Sequence, residues 1–426
     1  MNEILIINNA NIITPWELIS GGYIVCENGV ITEYGEGTYS PEPGDPQSYI
    51  ILSKLLRRSP LSSKPNYTFI DAGGNYVAPG FIDIHTHGAG GFDFMDNTVE
   101  AYLGVAETHA KYGTTSLLPT TLASTSKELY KTLEVYKKAK TLNNKGASFL
   151  GIHLEGPYFS YEQRGAQDPR YLRNPDPAEY NAILDYSDDI VRWSLAPELP
   201  GALEFGAKLH SKQILASVAH SNAIYEDIEK AYEAGFTHVT HLYSCMSTIT
   251  RKNAFRYAGV IEAAYMINGM TVEIIADGVH LPKSLMQFVH KFKGPDKIAL
   301  CTDSMRGAGM PDGESILGSM KNGQRVIIED GVAKLPDRTA FAGSVATADR
   351  LVRTMVQIAE VPLIDAVYMM TYTPARIMGA DLKGSISVGC DADLVIFDEH
   401  ISVLATIVQG KMIYNVLNSD KVEQNK

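Results

Sequence analysis

From Phe81 to about residue 300 the chain repeats one pattern, a short apolar strand followed by an amphipathic helix. Strands read near residues 81, 116, 150, 193, 216, 239, 274 and 300, the third as Phe149–His153 and the sixth as His238–His241. Helices read as Thr98–Tyr112, Ser126–Leu142, Pro177–Tyr186, Leu203–Ser211, Tyr225–Ala234 and Pro282–Phe292, with Gly113 and Gly235 as C-terminal caps. Ser344–Ile358 and Leu363–Tyr372 read as two further helices. Alternation of this kind predicts a parallel sheet covered by helices, and eight units predict a (β/α)8 barrel of the TIM type.

The flanks follow another period. Ile4–Ile7, Gly22–Cys26 and Val30–Tyr34 read as strands, with Asn28-Gly29 as a hairpin turn. Phe69–Asp71 and Asn75–Val77 are short strands before the barrel. After it, Gly384–Gly389 leads into Ala392–Asp398, then Leu404–Gln409 and Lys411–Val416, with no helix between them. The two ends are expected to pair into one small β-sandwich, from residues 1–78 and 381–426, beside a barrel at 79–380. Residues 36–66 carry five prolines and several serines and read as a surface insertion, with a short helix at Leu55–Arg58. Lys421–Lys426 is a polar tail.

Composition narrows the class. A chain of 426 residues exceeds one small core and suits a large domain with a satellite. The net charge of −12 argues against a nucleic-acid partner, though not against a small anion met by a local basic cluster. No run of 18 apolar residues predicts a membrane span. The N-terminal segment lacks the basic start of a signal peptide, and the four cysteines form no C-x-x-C pair. A cytoplasmic protein is expected.

The run Val77–Gly88 carries the first chemistry. Pro79-Gly80 punctuates the start of a buried strand, and His85 and His87 stand at its end. Alternate residues of a strand point to one side, so the two imidazoles can chelate a divalent ion. A bare H-x-H is also compatible with two loop histidines. Barrels place chemistry at the carboxyl ends of their strands. Those ends supply Glu155, His220, His241, His280 and Asp303. A random scatter of 11 histidines would not collect there. Taken singly, Glu155 could cap a turn, Asp303 could cap a helix, and His220 or His241 could be core residues. His153, His210 and His400 read as structural or exposed, and His238 as a core or supporting residue.

These stretches resemble the N-acetylglucosamine-6-phosphate deacetylases of the amidohydrolase superfamily. The matching segments are Pro79–Gly88, His153–Pro157, Leu195–Glu198, Ala219–Asn222, Thr240–Tyr243, Ala276–His280, Thr302-Asp303 and Phe341–Ser344, with Gly389–Val395 as the closing strand. The resemblance implies metal-dependent removal of the acetyl group from N-acetylglucosamine 6-phosphate. It implies that Glu155, His220 and His241 hold one divalent ion, with His85 and His87 holding a second. Zinc is the first expectation; iron, nickel, cobalt and manganese are alternatives. Asp303 would be the general acid and base, and His280 would face the acetyl carbonyl. Asp277, Gly278, Val279 and His280 would line the sugar site, with Ala166 and the backbone of Phe341, Ala342 and Gly343.

The chain departs from the family where Asn-Ala usually follows Leu-Tyr. Here Ser244-Cys245 stands, which preserves backbone contacts to substrate. The family's phosphate-binding arginine falls at Arg251-Lys252, with Arg256 close behind. The resemblance implies a homodimer or higher homo-oligomer in which this cation crosses the interface. Competing readings are the galacto epimer as substrate, a cyclic-amidohydrolase or aminoacylase, and a non-catalytic metal-binding module. A full ligand set with an intact Asp303 weighs against the last.

Overall fold

Residues 3–39 and 66–417 are described in the computed structural model. Its central sheet contains eight parallel strands: β1 Phe81–Thr86, β2 Thr114–Thr121, β3 Ile152–Glu155, β4 Ile190–Leu195, β5 Leu215–Val218, β6 Phe236–Val239, β7 Thr271–Ile274 and β8 Ile298–Leu300. Each pairs in parallel with the next in chain order. The barrel nearly closes, because β8 and the segment after it return to β1. The Asp303 amide donates to His85 O at 2.9 Å and the His87 amide to Ser304 O at 2.8 Å. Between the same strands, Thr302 Oγ1 donates to Asp83 Oδ2 at 2.5 Å.

The helices begin where side chains can satisfy their free amides. Thr98 caps Val99–Lys111, Thr125 caps Ser126–Leu142 and Asp176 caps Pro177–Tyr186, each through a side-chain oxygen. The apolar faces of these helices bury Tyr102, Leu133, Tyr136 and Ile183 against the barrel, in one core with Trp193 and Phe205. Burying side chains of that size contributes roughly 1.5–3 kcal/mol each before entropy is counted.

Several expected boundaries move. The strand expected at 149–153 is split, since Gly151 has φ of +146° and breaks the ladder before β3 begins. The sixth strand ends at Val239, and His241 leaves it with φ of +30°. The helix expected at 344–358 starts only at Ala348. Ser344 instead ends a strand, Phe341–Ser344, and its hydroxyl donates to Thr302 O at 2.5 Å. The helix at 363–372 stops at Met370 and resumes as Tyr372–Ile377. A four-stranded antiparallel sheet follows β8, built from Gly313–Leu317, Gln324–Glu329, Val332–Lys334 and Phe341–Ser344. It was not anticipated from the sequence.

Both chain ends join one eight-stranded sheet. Leu394–Phe397 pairs antiparallel with Tyr76–Pro79, which pairs in parallel with Glu3–Ile13. Ile7, Ile12, Ile24, Ile31, Leu394, Ile396 and Ile407 form its buried core. The Asn28-Gly29 turn has both residues at positive φ, as its hairpin requires. Most of the 36–66 insertion, its short helix and the 421–426 tail lie outside the described residues. Among the described residues, no helix is long and apolar enough to cross a membrane.

Candidate metal centre

The strand ends bring two groups of donors together. His85, His87 and Asp303 form one, and Glu155, His220 and His241 form the other. His87 Nε2 lies 3.1 Å from Asp303 Oδ1, and His85 Nε2 lies 3.4 Å from the same oxygen. Glu155 Oε1 lies 3.2 Å from His241 Nε2 and 3.4 Å from His220 Nε2. The groups are contiguous, because Glu155 also reaches His85 at 3.5 Å and His87 at 3.4 Å. All six side chains are buried. His220, His241 and Asp303 have φ of 46°, 30° and 45°, a left-handed backbone that costs a non-glycine residue about 1–3 kcal/mol. That turn is what aims each side chain off its strand toward the common centre.

A supporting layer fixes the rings. His85 Nδ1 is 2.6 Å from Glu273 Oε1, His220 Nδ1 is 2.8 Å from Gln163 O, and His87 Nδ1 is 3.3 Å from Thr120 O. Facing acceptors, these Nδ1 atoms carry the hydrogen in the neutral ring, which leaves Nε2 as the free donor atom. Gln167 Nε2 donates to Glu155 Oε2 at 2.7 Å and orients that carboxylate. Convergent Nε2 lone pairs with two carboxylates are a donor set that suits zinc and other first-row divalent ions. The residues present therefore fit such an ion.

The electrostatics agree. Burial pushes the Glu155 carboxyl up, but His85, His220, His241 and His87 hold it well below the usual range. Burial likewise opposes ionisation of Asp303, and His85 and His87 outweigh it. For His87, burial acts against the charged ring, yet Asp303 and Glu155 raise it to about 9. Charge at this centre is balanced by cations, which a bound divalent ion would supply in place of protons.

Above these residues lies a cavity of about 280 Å³. Its walls include Ala166, Ser244, Cys245, His280, Phe341 and Gly343, with His87, Glu155, His220, His241 and Asp303 also exposed to it. His280 Nδ1 is 2.8 Å from Asp277 Oδ2, and its ring packs on Phe341 with centroids 4.7 Å apart. Asp277 also accepts the amides of Val279 and His280. It supports His280 rather than facing the cavity. Gly278, Val279 and Ala342 are not among the lining residues, although each adjoins one that is or supports one.

Arg251, Lys252 and Arg256 stand apart from the cavity. They occupy an exposed two-stranded hairpin, Thr250–Lys252 with Phe255–Tyr257. Arg251 lies directly opposite Arg256 in the register. Like charges across a ladder repel, so this arrangement favours an anion or acidic surface nearby.

Sequence reasoning missed Glu273, Arg192, Gln163 and Gln167. His238, read as a core or supporting residue, is buried with Nε2 3.5 Å from Glu273 Oε2. His153 is buried between Thr120 and Ser194, whereas His210 and His400 are exposed.

Comparison with known proteins places this architecture. The sequence profile of the amidohydrolase family matches residues 76–421. The chain belongs to the amidohydrolase family. This amidohydrolase is 33% identical over 344 residues to the N-acetylglucosamine-6-phosphate deacetylase of Lysinibacillus sphaericus, covering 80% of this chain and 87% of that one. It is 31% identical over 431 residues to the enzyme of the same name from Bacillus subtilis (strain 168), covering 99% and 100%. The crystal structure of N-acetylglucosamine-6-phosphate deacetylase from Pasteurella multocida superposes with a TM-score of 0.82 at 29% identity, covering 96% and 99%.

Proposed function

We propose that this amidohydrolase hydrolyses the N-acetyl group of N-acetyl-D-glucosamine 6-phosphate, giving D-glucosamine 6-phosphate and acetate, as a step of amino-sugar catabolism. One observation carries the proposal: six metal-competent donors converge, and five of them, His87, Glu155, His220, His241 and Asp303, open with an oriented His280 onto one cavity. Glu155, His220 and His241 would hold one divalent ion, and His85 and His87 a second, with zinc the first candidate. Such an ion supplies Lewis acidity toward the acetyl carbonyl and acidifies water at neutral pH.

The chain's own residues carry the remaining roles. Asp303, kept ionised by His85 and His87, takes the proton from attacking water and returns it to the leaving amine nitrogen. Asp277 holds Nδ1 of His280 and so fixes the ring at the cavity wall, with Nε2 free to face the oxygen that gains charge. Ala166, Ser244, Cys245 and Gly343 bound the sugar, and Phe341 packs beside His280. Arg251, Lys252 and Arg256 are the candidate phosphate cations. Ile249 and Phe255, 63% and 71% exposed on and beside the same hairpin, suit burial against a second copy in a homodimer or higher oligomer.

The mixed sheet from both ends is read as a β-sandwich satellite, 1–78 with 381–426, on a barrel at 79–380. Four free cysteines suit a cytoplasmic setting. Acetate release from N-acetylglucosamine 6-phosphate tests the activity. It should stop on chelation and return with zinc; release unaffected by exhaustive chelation would contradict the metal-dependent reading.

A further inference from the structure

Beneath the donors lies a buried polar layer that the reaction itself does not use. Glu273 projects from the middle of β7 and is fully buried. Oε1 is 2.6 Å from His85 Nδ1 and accepts the His241 amide at 3.2 Å. Oε2 accepts from Arg192 Nη1 at 2.7 Å and lies 3.5 Å from His238 Nε2. Arg192, on β4, is itself fully buried. Its other donors go to Ser217 Oγ at 3.1 Å, Ile84 O at 3.0 Å and Thr240 Oγ1 at 3.0 Å.

We infer that Glu273 is a positioning residue that sets one histidine from each donor group at once. For His85, the carboxylate takes the Nδ1 hydrogen, which directs Nε2 toward Asp303 and Glu155. For His241, it holds the backbone amide at a residue whose φ is +30°. The ladder cannot do this, because β6 has ended at Val239. Arg192 in turn holds the Glu273 carboxylate and, through Ile84 O, the strand that carries His85 and leads to His87.

Core stability alone is a weak reason for this arrangement. A buried ion pair replaced by apolar residues of similar volume is often neutral or better for folding. The contacts of Oε1, which go to two candidate ligands and nothing else, give the pair its reason. Outer partners of metal-binding histidines raise their basicity and fix their orientation, and their loss weakens metal affinity about 10- to 100-fold.

The inference rests on the metal reading given above, so its test measures binding directly. Metal-stripped protein is titrated with Zn²⁺, and the Co²⁺ form is followed by its visible absorption. Glu273→Gln should keep its circular dichroism, bind Zn²⁺ about 10- to 100-fold more weakly, and show an altered Co²⁺ spectrum. Because that variant leaves Arg192 unpaired, Glu273→Leu with Arg192→Met is made beside it. The double variant should fold and show the same loss of affinity, which a purely structural pair would not produce. Wild-type Zn²⁺ affinity and Co²⁺ spectrum in either folded variant overturn the positioning role while leaving the metal reading intact. Wild-type protein that binds no Zn²⁺ overturns both.

Discussion

Oε2 of Glu155 lies 3.4 Å from Nε2 of His87, while Oε1 of the same carboxylate lies 3.2 Å from Nε2 of His241. One side chain at the end of β3 thus touches both donor groups. It is the residue whose loss should disturb the centre most.

Glu155→Gln tests that placement. The amide keeps the shape but removes the charge that four imidazoles surround. Purified wild-type protein should carry one to two divalent ions per chain, and the variant should lose most of them, as elemental analysis would report. Full occupancy in the variant would remove Glu155 from the ligand set.

Asp303→Asn separates chemistry from binding. The variant should fold and bind substrate with little change in KM. Its kcat should fall on the order of 10²–10⁴, the usual scale for a positioned acid or base. Near-normal turnover would rule out the proton-transfer role.

For the basic hairpin, Arg251→Ala, Lys252→Ala and Arg256→Ala are assayed singly on phosphorylated and unphosphorylated sugar. A charge-assisted bond to phosphate contributes roughly 1.5–3 kcal/mol, so loss of the residue that makes it should raise KM for the 6-phosphate about 10- to 100-fold. Activity on the unphosphorylated sugar should not move. If all three variants keep the wild-type preference, the phosphate is held elsewhere.

Stability should fall in mild acid, in part through His109. Burial holds this ring down to about 4, with Nε2 3.0 Å from Thr86 Oγ1. A histidine lowered from its ordinary value of about 6.5 stays neutral in the fold and is protonated first in the unfolded chain. Its contribution is therefore present above pH 6.5 and lost as pH falls toward 4, on the order of 3 kcal/mol in all. Denaturant midpoints of wild type and His109→Gln, measured from pH 7 to 4.5, should show a shallower decline in the variant. Parallel declines would show that His109 does not contribute.

The sequence exposed those parts of the site that repeat or cluster. The eight barrel strands were legible because each is a short apolar run separated from the next by helical periodicity. His85, His87, Glu155, His220, His241 and Asp303 were legible because chemistry-bearing residues recur at the same place in successive units. Glu273 was not. One acid within Thr271–Ile274 looks the same whether it faces solvent or a buried arginine, and Arg192 lies far from it in the chain. The sheet after β8 was hidden by short strands joined by polar turns, and Ser344 merged with the helical pattern that starts at Ala348. The hairpin at Thr250–Tyr257 has three-residue strands, too short for a period to be read.

Deacetylation of N-acetylglucosamine 6-phosphate is tested most directly by kcat/KM of the zinc-loaded protein on a panel of N-acetylated hexosamines. The panel holds the gluco and galacto 6-phosphates and the unphosphorylated gluco sugar. The highest value is expected for N-acetylglucosamine 6-phosphate, with acetate and glucosamine 6-phosphate formed in equal amounts. A higher value for the galacto 6-phosphate, or no acetate from any of the three, would contradict it.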